Sequence, residues 1–416
     1  MTYSECIAMT TFPSRFNRLA WSNLAAQSAE QIGLAATPIV AVIALGAGAG
    51  ETGWLQTAQT LPFMILAIPA GMLVDRFQRS PLTATAEALR VVSLVCMLIL
   101  AVTGMLTLPL LAVLGFIGAS GTVVYSVATP AIVPDLVEAD ALPTANSRIE
   151  LARTSALAAG PALGGALVGW IGAAPAFGFA ATLSAGAVAL LASVDEPARK
   201  VALRQRHPFR EIREGLVFVF SHRLLRPIFL TQFVFNTAFF AIQAVFVPYA
   251  IHRLGLSATL VGLTLAALGG GMMSGALLAP RIMRGLRIGL VIAIGPIAGV
   301  AAAFLMLATI WIPSPLLAGL SFFVMGAGPI LWVVSTTTLR QTVTPPELLG
   351  RVSAINIMSY GARPFGAAIG AVIGGSYGAE AVLVAATAGF IFQMLIILPS
   401  QTVRLGPQSS HEPRAA

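Results

Sequence analysis

Charge is scarce in this 416-residue sequence: Asp, Glu, Lys and Arg together supply 10% of it, against 57% hydrophobic residues. Water-soluble domains carry about 25% charged residues, so no sizeable soluble domain fits this composition. Cysteine is nearly absent as well. Cys6 precedes the first apolar run and Cys96 falls inside the third, an arrangement that excludes a disulfide framework and a CxxC metal site. The chain also has no G-x-x-x-x-G-K-S/T phosphate loop, no HExxH and no GxSxG. ATP-driven work and hydrolysis therefore have no motif to stand on, and neither enzyme activity, a cofactor nor a metal is expected. The opening stretch MTYSECIAMTTFPSRFNRLA lacks the basic region, apolar run and small-residue cleavage site of a secretory signal, so it is expected to stay cytoplasmic. The net charge of +8 is spread over short gaps between apolar runs rather than over an aromatic-interleaved surface, which argues against nucleic acid.

Apolar runs near the 20 residues needed to cross a bilayer recur from end to end. They predict an all-α membrane protein with twelve spans, at 19–45, 54–74, 82–105, 109–132, 146–169, 173–193, 227–250, 258–280, 288–310, 315–338, 352–375 and 379–398. Of the 24 Lys and Arg, only Arg253 falls in a loop on the side opposite the N-terminus, so both termini are expected in the cytoplasm and the protein in the inner or plasma membrane. Trp54, Trp170 and Trp311 are expected at the outer interface and Trp21 near the inner one. The basic segment 194–226 reads as a cytoplasmic linker between two six-helix bundles, 1–193 and 227–398, with 399–416 as a cytoplasmic tail. The halves repeat each other. Gly71 and Gly275 begin similar phrases after the second and eighth spans, and Arg148 aligns with Arg351 and Pro161 with Pro364. Parallel repeats of this kind place a binding site at their interface near the bilayer midplane.

The phrase GMLVDRFQR at 71–79 resembles the loop signature G-x-x-x-D-R-x-G-R-R/K of the major facilitator superfamily, matching at Gly71, Asp75, Arg76 and Arg79 and departing at Gln78 and Ser80. Glycine permits close approach of helix ends, and a carboxylate there can accept from arginines or a helix N-terminus. The resemblance implies that Asp75 docks near Gly350 and Arg351 and holds the cytoplasmic side shut. In the fifth span, Gly160, Pro161, Gly164 and Gly165 are similar to the G-P-x-x-G-G core of the superfamily's antiporter motif, which implies export; a plain small-residue packing seam is the other reading. The phrases ANSRIELART and REGLVFVFSHRLLRP look like the enterobactin-exporter-like, transmembrane secretion effector branch of drug and siderophore exporters. That resemblance implies a major facilitator fold and proton-coupled efflux of a small amphipathic molecule by a monomer in the lipid bilayer. Uptake, or a sensor on the same scaffold, remains open. The fourth span has no arginine in R-x-x-Q-G, so any proton coupling must use other groups.

Two ionisable residues are expected deep in the membrane, Glu30 and Arg363. On a helix Asn23, Gln27, Glu30 and Thr37 share an arc of roughly 80°, with Gln31 at its edge. This stripe is a candidate cavity lining, with Glu30 as a proton or cation site or, alternatively, an ion-pairing group between helices. Arg363 is either the counter-charge of Glu30 or a seat for an anionic group. Glu87 with Arg90, and Glu150 with Arg153, are spaced i,i+3 near cytoplasmic helix ends and read mainly as structural or gate pairs. The seventh span sets Gln232, Asn236 and Gln243 among phenylalanines, which suits a ring-bearing ligand or an interhelical amide seam.

Overall fold

The computed structural model describes residues 12–138, 141–194, 208–345, 348, 351–352, 355–356 and 358–405. Apolar backbone in lipid must satisfy its own hydrogen bonds, and the described residues do so with helices. The first half contains α1 (Ser14–Leu45), α2 (Ala49–Ile65), α3 (Ala67–Arg76), α4 (Arg79–Val102), α5 (Leu108–Leu136), α6 (Leu142–Ile171) and α7 (Ala173–Ala192). Next come α8 (Pro208–Ser221), α9 (Leu225–His252), α10 (Ala258–Gly285), α11 (Ile288–Ala308) and α12 (Pro315–Val343). A 3₁₀ turn (Ser359–Gly361), α13 (Ala362–Tyr377) and α14 (Ala379–Ile397) complete the described elements.

Twelve uninterrupted spans were expected; among the described residues, ten single helices are long and apolar enough to cross. An eleventh, expected at 54–74, is the pair α2 and α3, bent by 47° about Leu66. Pro62 sits one turn before the break, where a ring in place of an N–H weakens the helix ladder. The segment expected at 352–375 is likewise interrupted, because the 3₁₀ turn precedes the 16-residue α13. Residues 208–221 of the expected linker form α8, whose Glu214 lies 2.5 Å from Arg351; residues 195–207 lie outside the described set. The expected tail is also anchored at its start, since the Thr402 hydroxyl donates to the Leu224 carbonyl at 3.1 Å.

The repeat is visible in the turns. Gly172 joins α6 to α7 at φ 93°, and Gly378 joins α13 to α14 at φ 84°. Only glycine occupies that backbone region without strain, so the same residue stands at the same place in each half. The surface is oily where lipid would touch it: Trp54, Trp170, Trp311 and Trp21 are all more than half exposed.

The halves meet along two seams. Gly165 of α6 faces Gly262 of α10, where an added Cβ would fall 2.8 Å from the opposing Cα. In the other seam Gly50 of α2 faces Gly375 of α13, with 2.9 Å to the opposing Cα. Both contacts lie toward the membrane face opposite the termini, where the glycines bring backbones together and close that side. On the terminal side of α6, by contrast, the Glu150 and Arg153 side chains are 58% and 41% exposed.

Candidate functional site

Glu30 lies at the centre of the 32-residue α1, and the structure surrounds it with charge that sequence spacing placed elsewhere. The Arg90 guanidinium of α4 reaches it: Nη2 stands 3.6 Å from Glu30 Oε2. Arg90 Nη1 lies 2.9 Å from Glu87 Oε2 and donates to Glu87 Oε1 at 3.1 Å. It also donates to the Ala26 carbonyl at 3.0 Å, while Nη2 donates to the Thr122 hydroxyl at 2.6 Å. The Ser184 hydroxyl of α7 donates to Glu87 Oε1. Glu87 and Arg90 are therefore no gate pair at a helix end. Their side chains are 0% and 5% exposed, under α5 and α7.

Small residues make this burial possible. Gly121 of α5 sits so close to the Ala86 carbonyl that no Cβ would fit, and Gly118 leaves room beside Arg90 and Ser93. The series Gly115, Gly118, Gly121 lines one face of α5, and that spacing was the available sequence signal for a charged neighbour needing space. With all three groups ionised, the cluster carries one negative charge in excess. Among the described residues Arg90 is the one cation within 4 Å of either carboxylate. The two carboxylates are not equivalent. Glu87 is locked by Arg90 and Ser184, whereas Glu30 is 16% exposed and held at 3.6 Å, beyond hydrogen-bond length.

The rest of the α1 stripe does not form one wet face. Asn23 is buried and its Nδ2 donates to the Ile149 carbonyl of α6 at 3.2 Å. Thr37, also buried, donates to its own helix at Gly33. Gln31 packs on Gly160, and Gln27 is partly exposed beside Glu30. The 32-residue helix touches α6 and α7 along most of its length, so shared angular position did not mean shared water.

Arg363 is not the partner of Glu30. No described carboxylate lies within 4 Å of it; the guanidinium instead stands 5.1 Å from the Phe63 ring centroid, 5.2 Å from Phe240 and 4.3 Å from Tyr360. Such contacts retain a cation by the negative faces of rings, without a carboxylate in direct contact among the described residues. Arg363, Gln232 and Asn236 line a cavity of about 210 Å³ in the second half; Gln243 lies outside it. Asn236 Nδ2 donates to the Gln232 carbonyl one turn earlier. Gln393 of α14 and Thr231 of α9 also line the cavity, and the sequence reading singled out neither. A lone amide in the apolar run FIFQMLII was the signal for the first.

Of the loop signature, Gly71, Arg76 and Arg79 lie among the described side chains. At Gly71 no described residue lies within 4 Å of where a Cβ would be. Arg79 Nη1 pairs with Asp135 of α5 at 2.7 Å and also donates to the Ala131 carbonyl. Arg76 is exposed, and Arg351, the expected neighbour of Asp75, holds Glu214. The Asp75 side chain and Gly350 lie outside the described residues. In α6, Gly160 and Gly164 pack on α1, whereas Pro161 and Gly165 face Gly262 of α10. The antiporter-like phrase thus occupies both a packing surface within one half and a seam between halves.

Comparison with known proteins places this geometry in a family context. The sequence profile of the transmembrane secretion effector family matches residues 30–414. An uncharacterised MFS-type transporter, y4rN, of Sinorhizobium fredii is 28% identical over 329 residues, covering 77% of this chain and 79% of that protein. The enterobactin exporter EntS of Escherichia coli is 27% identical over 336 residues, covering 79% and 76%. The crystal structure of the nucleoside transporter NupG matches with a TM-score of 0.72 at 14% identity, over 92% of this chain and 98% of that one, a likeness of fold alone.

Proposed function

Because this chain belongs to the transmembrane secretion effector family of the major facilitator superfamily, we propose that it exports a small amphipathic molecule in exchange for protons. The chain is a multi-pass membrane transporter; the readings of direction and coupling rest on the site. The single observation that carries the coupling is the Glu30, Arg90 and Glu87 cluster, with one carboxylate more than it has cations and that carboxylate loosely held. When Glu30 is ionised the cluster is negative in a low-dielectric bundle. One proton makes it neutral, so proton occupancy and helix packing are coupled through α1 and α4.

The two seams support alternating access. They are closed in this structure on the face opposite the termini, and parting them would open that face. The two six-helix bundles would rock about them, with α8 tying the second bundle to the segment at Arg351. The arginine distribution supports cytoplasmic termini, which places the closed face outside. An impermeant thiol reagent is expected to label Arg253→Cys in intact cells; labelling only after permeabilisation would invert the topology.

Efflux is tested by accumulation of dyes, antibiotics and siderophores in cells with and without the gene. The expected result is lower accumulation of at least one compound, reversed by a protonophore. Higher accumulation in expressing cells would replace export with uptake. No difference for a cargo that binds the purified protein would favour a sensor.

A further inference from the structure

The cavity of about 210 Å³ belongs wholly to the second half, with walls from α9 to α14 and the turn before α13. Pockets for whole drug-sized ligands run from about 300 to 1,000 Å³, so this one takes a ring group of a larger molecule, or one small molecule. Its walls are aromatic: Phe235 and Phe239 stack at 5.9 Å, with Trp332 and Tyr360 also on the lining.

Three residues of its lining carry buried, unpaired polar groups. Gln393 is 0% exposed, and among the described residues neither its Oε1 nor its Nε2 has a partner. Thr231 is 1% exposed with an unpaired hydroxyl. Buried polar groups in proteins are almost always hydrogen-bonded, so a donor and an acceptor left together on one amide call for a ligand edge offering the reverse pair. Arg363 supplies the third: its Nε is buried and unpaired, and rings occupy its faces. The guanidinium edge remains for an anion approaching in plane, the geometry in which arginine binds carboxylates bidentately. Pro329 adds to the polar wall, because it has no N–H to return to the carbonyl of Met325, which lines the same cavity.

We propose that this cavity seats an aromatic ring bearing an anionic group toward Arg363 and an amide-like edge, donor beside acceptor, toward Gln393 and Thr231. The assignment rests on the transport reading and names the chemical class of its cargo. The ring fits between phenylalanines, the charge answers a cation without a carboxylate, and the edge satisfies the buried amide. An aliphatic cation meets none of these conditions.

The test uses the purified full-length protein in lipid nanodiscs and the isomers 3- and 4-carbamoylbenzoate, each combining a ring, a carboxylate and a primary amide. Controls remove one feature at a time: benzoate, the methyl esters, and the carbamoylcyclohexanecarboxylates. At least one aromatic isomer is expected to bind about tenfold more tightly than each of its controls. Gln393→Met is expected to reduce that isomer to the affinity of benzoate while leaving benzoate unchanged, and Thr231→Val to act in the same direction. Arg363→Gln is expected to erase the advantage over the methyl ester. Because Gln393→Met deletes an unpaired buried amide, its thermal midpoint should not fall, which separates binding loss from unfolding. The inference is overturned if neither isomer binds at millimolar concentration, or if the preference survives Gln393→Met. Efflux without probe binding removes this inference and leaves transport standing; probe binding without flux does the opposite.

Discussion

Arg90→Met is expected to destabilise the protein by about 3–5 kcal/mol, the usual consequence of removing one member of a buried ion pair and leaving its partner charged. The effect is large because Arg90 serves four groups on three helices at once. It holds Glu87 on its own helix, Glu30 and the Ala26 carbonyl of α1, and the Thr122 hydroxyl of α5. Glu87 also accepts from Ser184 of α7, so the cluster joins four helices of the first half. Methionine keeps much of the volume and removes the charge, so two carboxylates are left in the bundle without a cation. Thermal unfolding in detergent or nanodiscs reads the loss. The double substitution Glu87→Gln/Arg90→Met is expected to recover most of it, since it removes the uncompensated charge that the single change creates. Equal instability of single and double variants would mean that packing, not charge balance, makes Arg90 necessary.

Glu30→Gln is expected to abolish transport driven by a pH gradient while leaving the fold intact. The substitution preserves shape and takes away the only carboxylate in the cluster that is both loosely paired and partly exposed. What remains is Arg90 with Glu87, a neutral pair, so the variant should be at least as stable as the parent protein. In everted vesicles with an acid interior, the parent is expected to accumulate cargo, and Glu30→Gln to fall to the level of vesicles without the protein. Cargo-for-cargo exchange should survive, because it needs alternation but no net proton. If gradient-driven accumulation is unchanged, Glu30 is a structural group and the coupling site lies elsewhere. Glu87→Gln makes a useful contrast: its loss should register in stability, through Arg90 and Ser184, more than in coupling.

Much of the architecture could be read from residues in order. The apolar runs announced a membrane protein because each is a local property, decided by about 20 consecutive side chains and the thickness of a bilayer. The repeat was legible in Arg148 with Arg351 and Pro161 with Pro364, and the structure adds the matching turns at Gly172 and Gly378. Local rules failed where a proline acts at a distance of one turn, as at Pro62 before the bend at Leu66. At the third span the i,i+3 spacing of Glu87 and Arg90 announced a pair, which forms, but spacing along one helix says nothing about what packs above it.

The candidate sites divide along the same line. Glu30 and Arg363 stood out in the sequence because an ionisable side chain in an apolar run is costly wherever the helix is placed. Their partners did not. That Glu30 faces Arg90, that Arg363 stands between Phe63 and Phe240, and that Gln393 lines a cavity with Thr231 depend on helices brought together across 60 or more residues of chain. The sequence by itself determined a helical membrane protein of two similar halves with buried charge. Only the tertiary structure decided which charges compensate each other and which remain open to a ligand, because charge balance depends on distances of a few ångströms that no single helix contains.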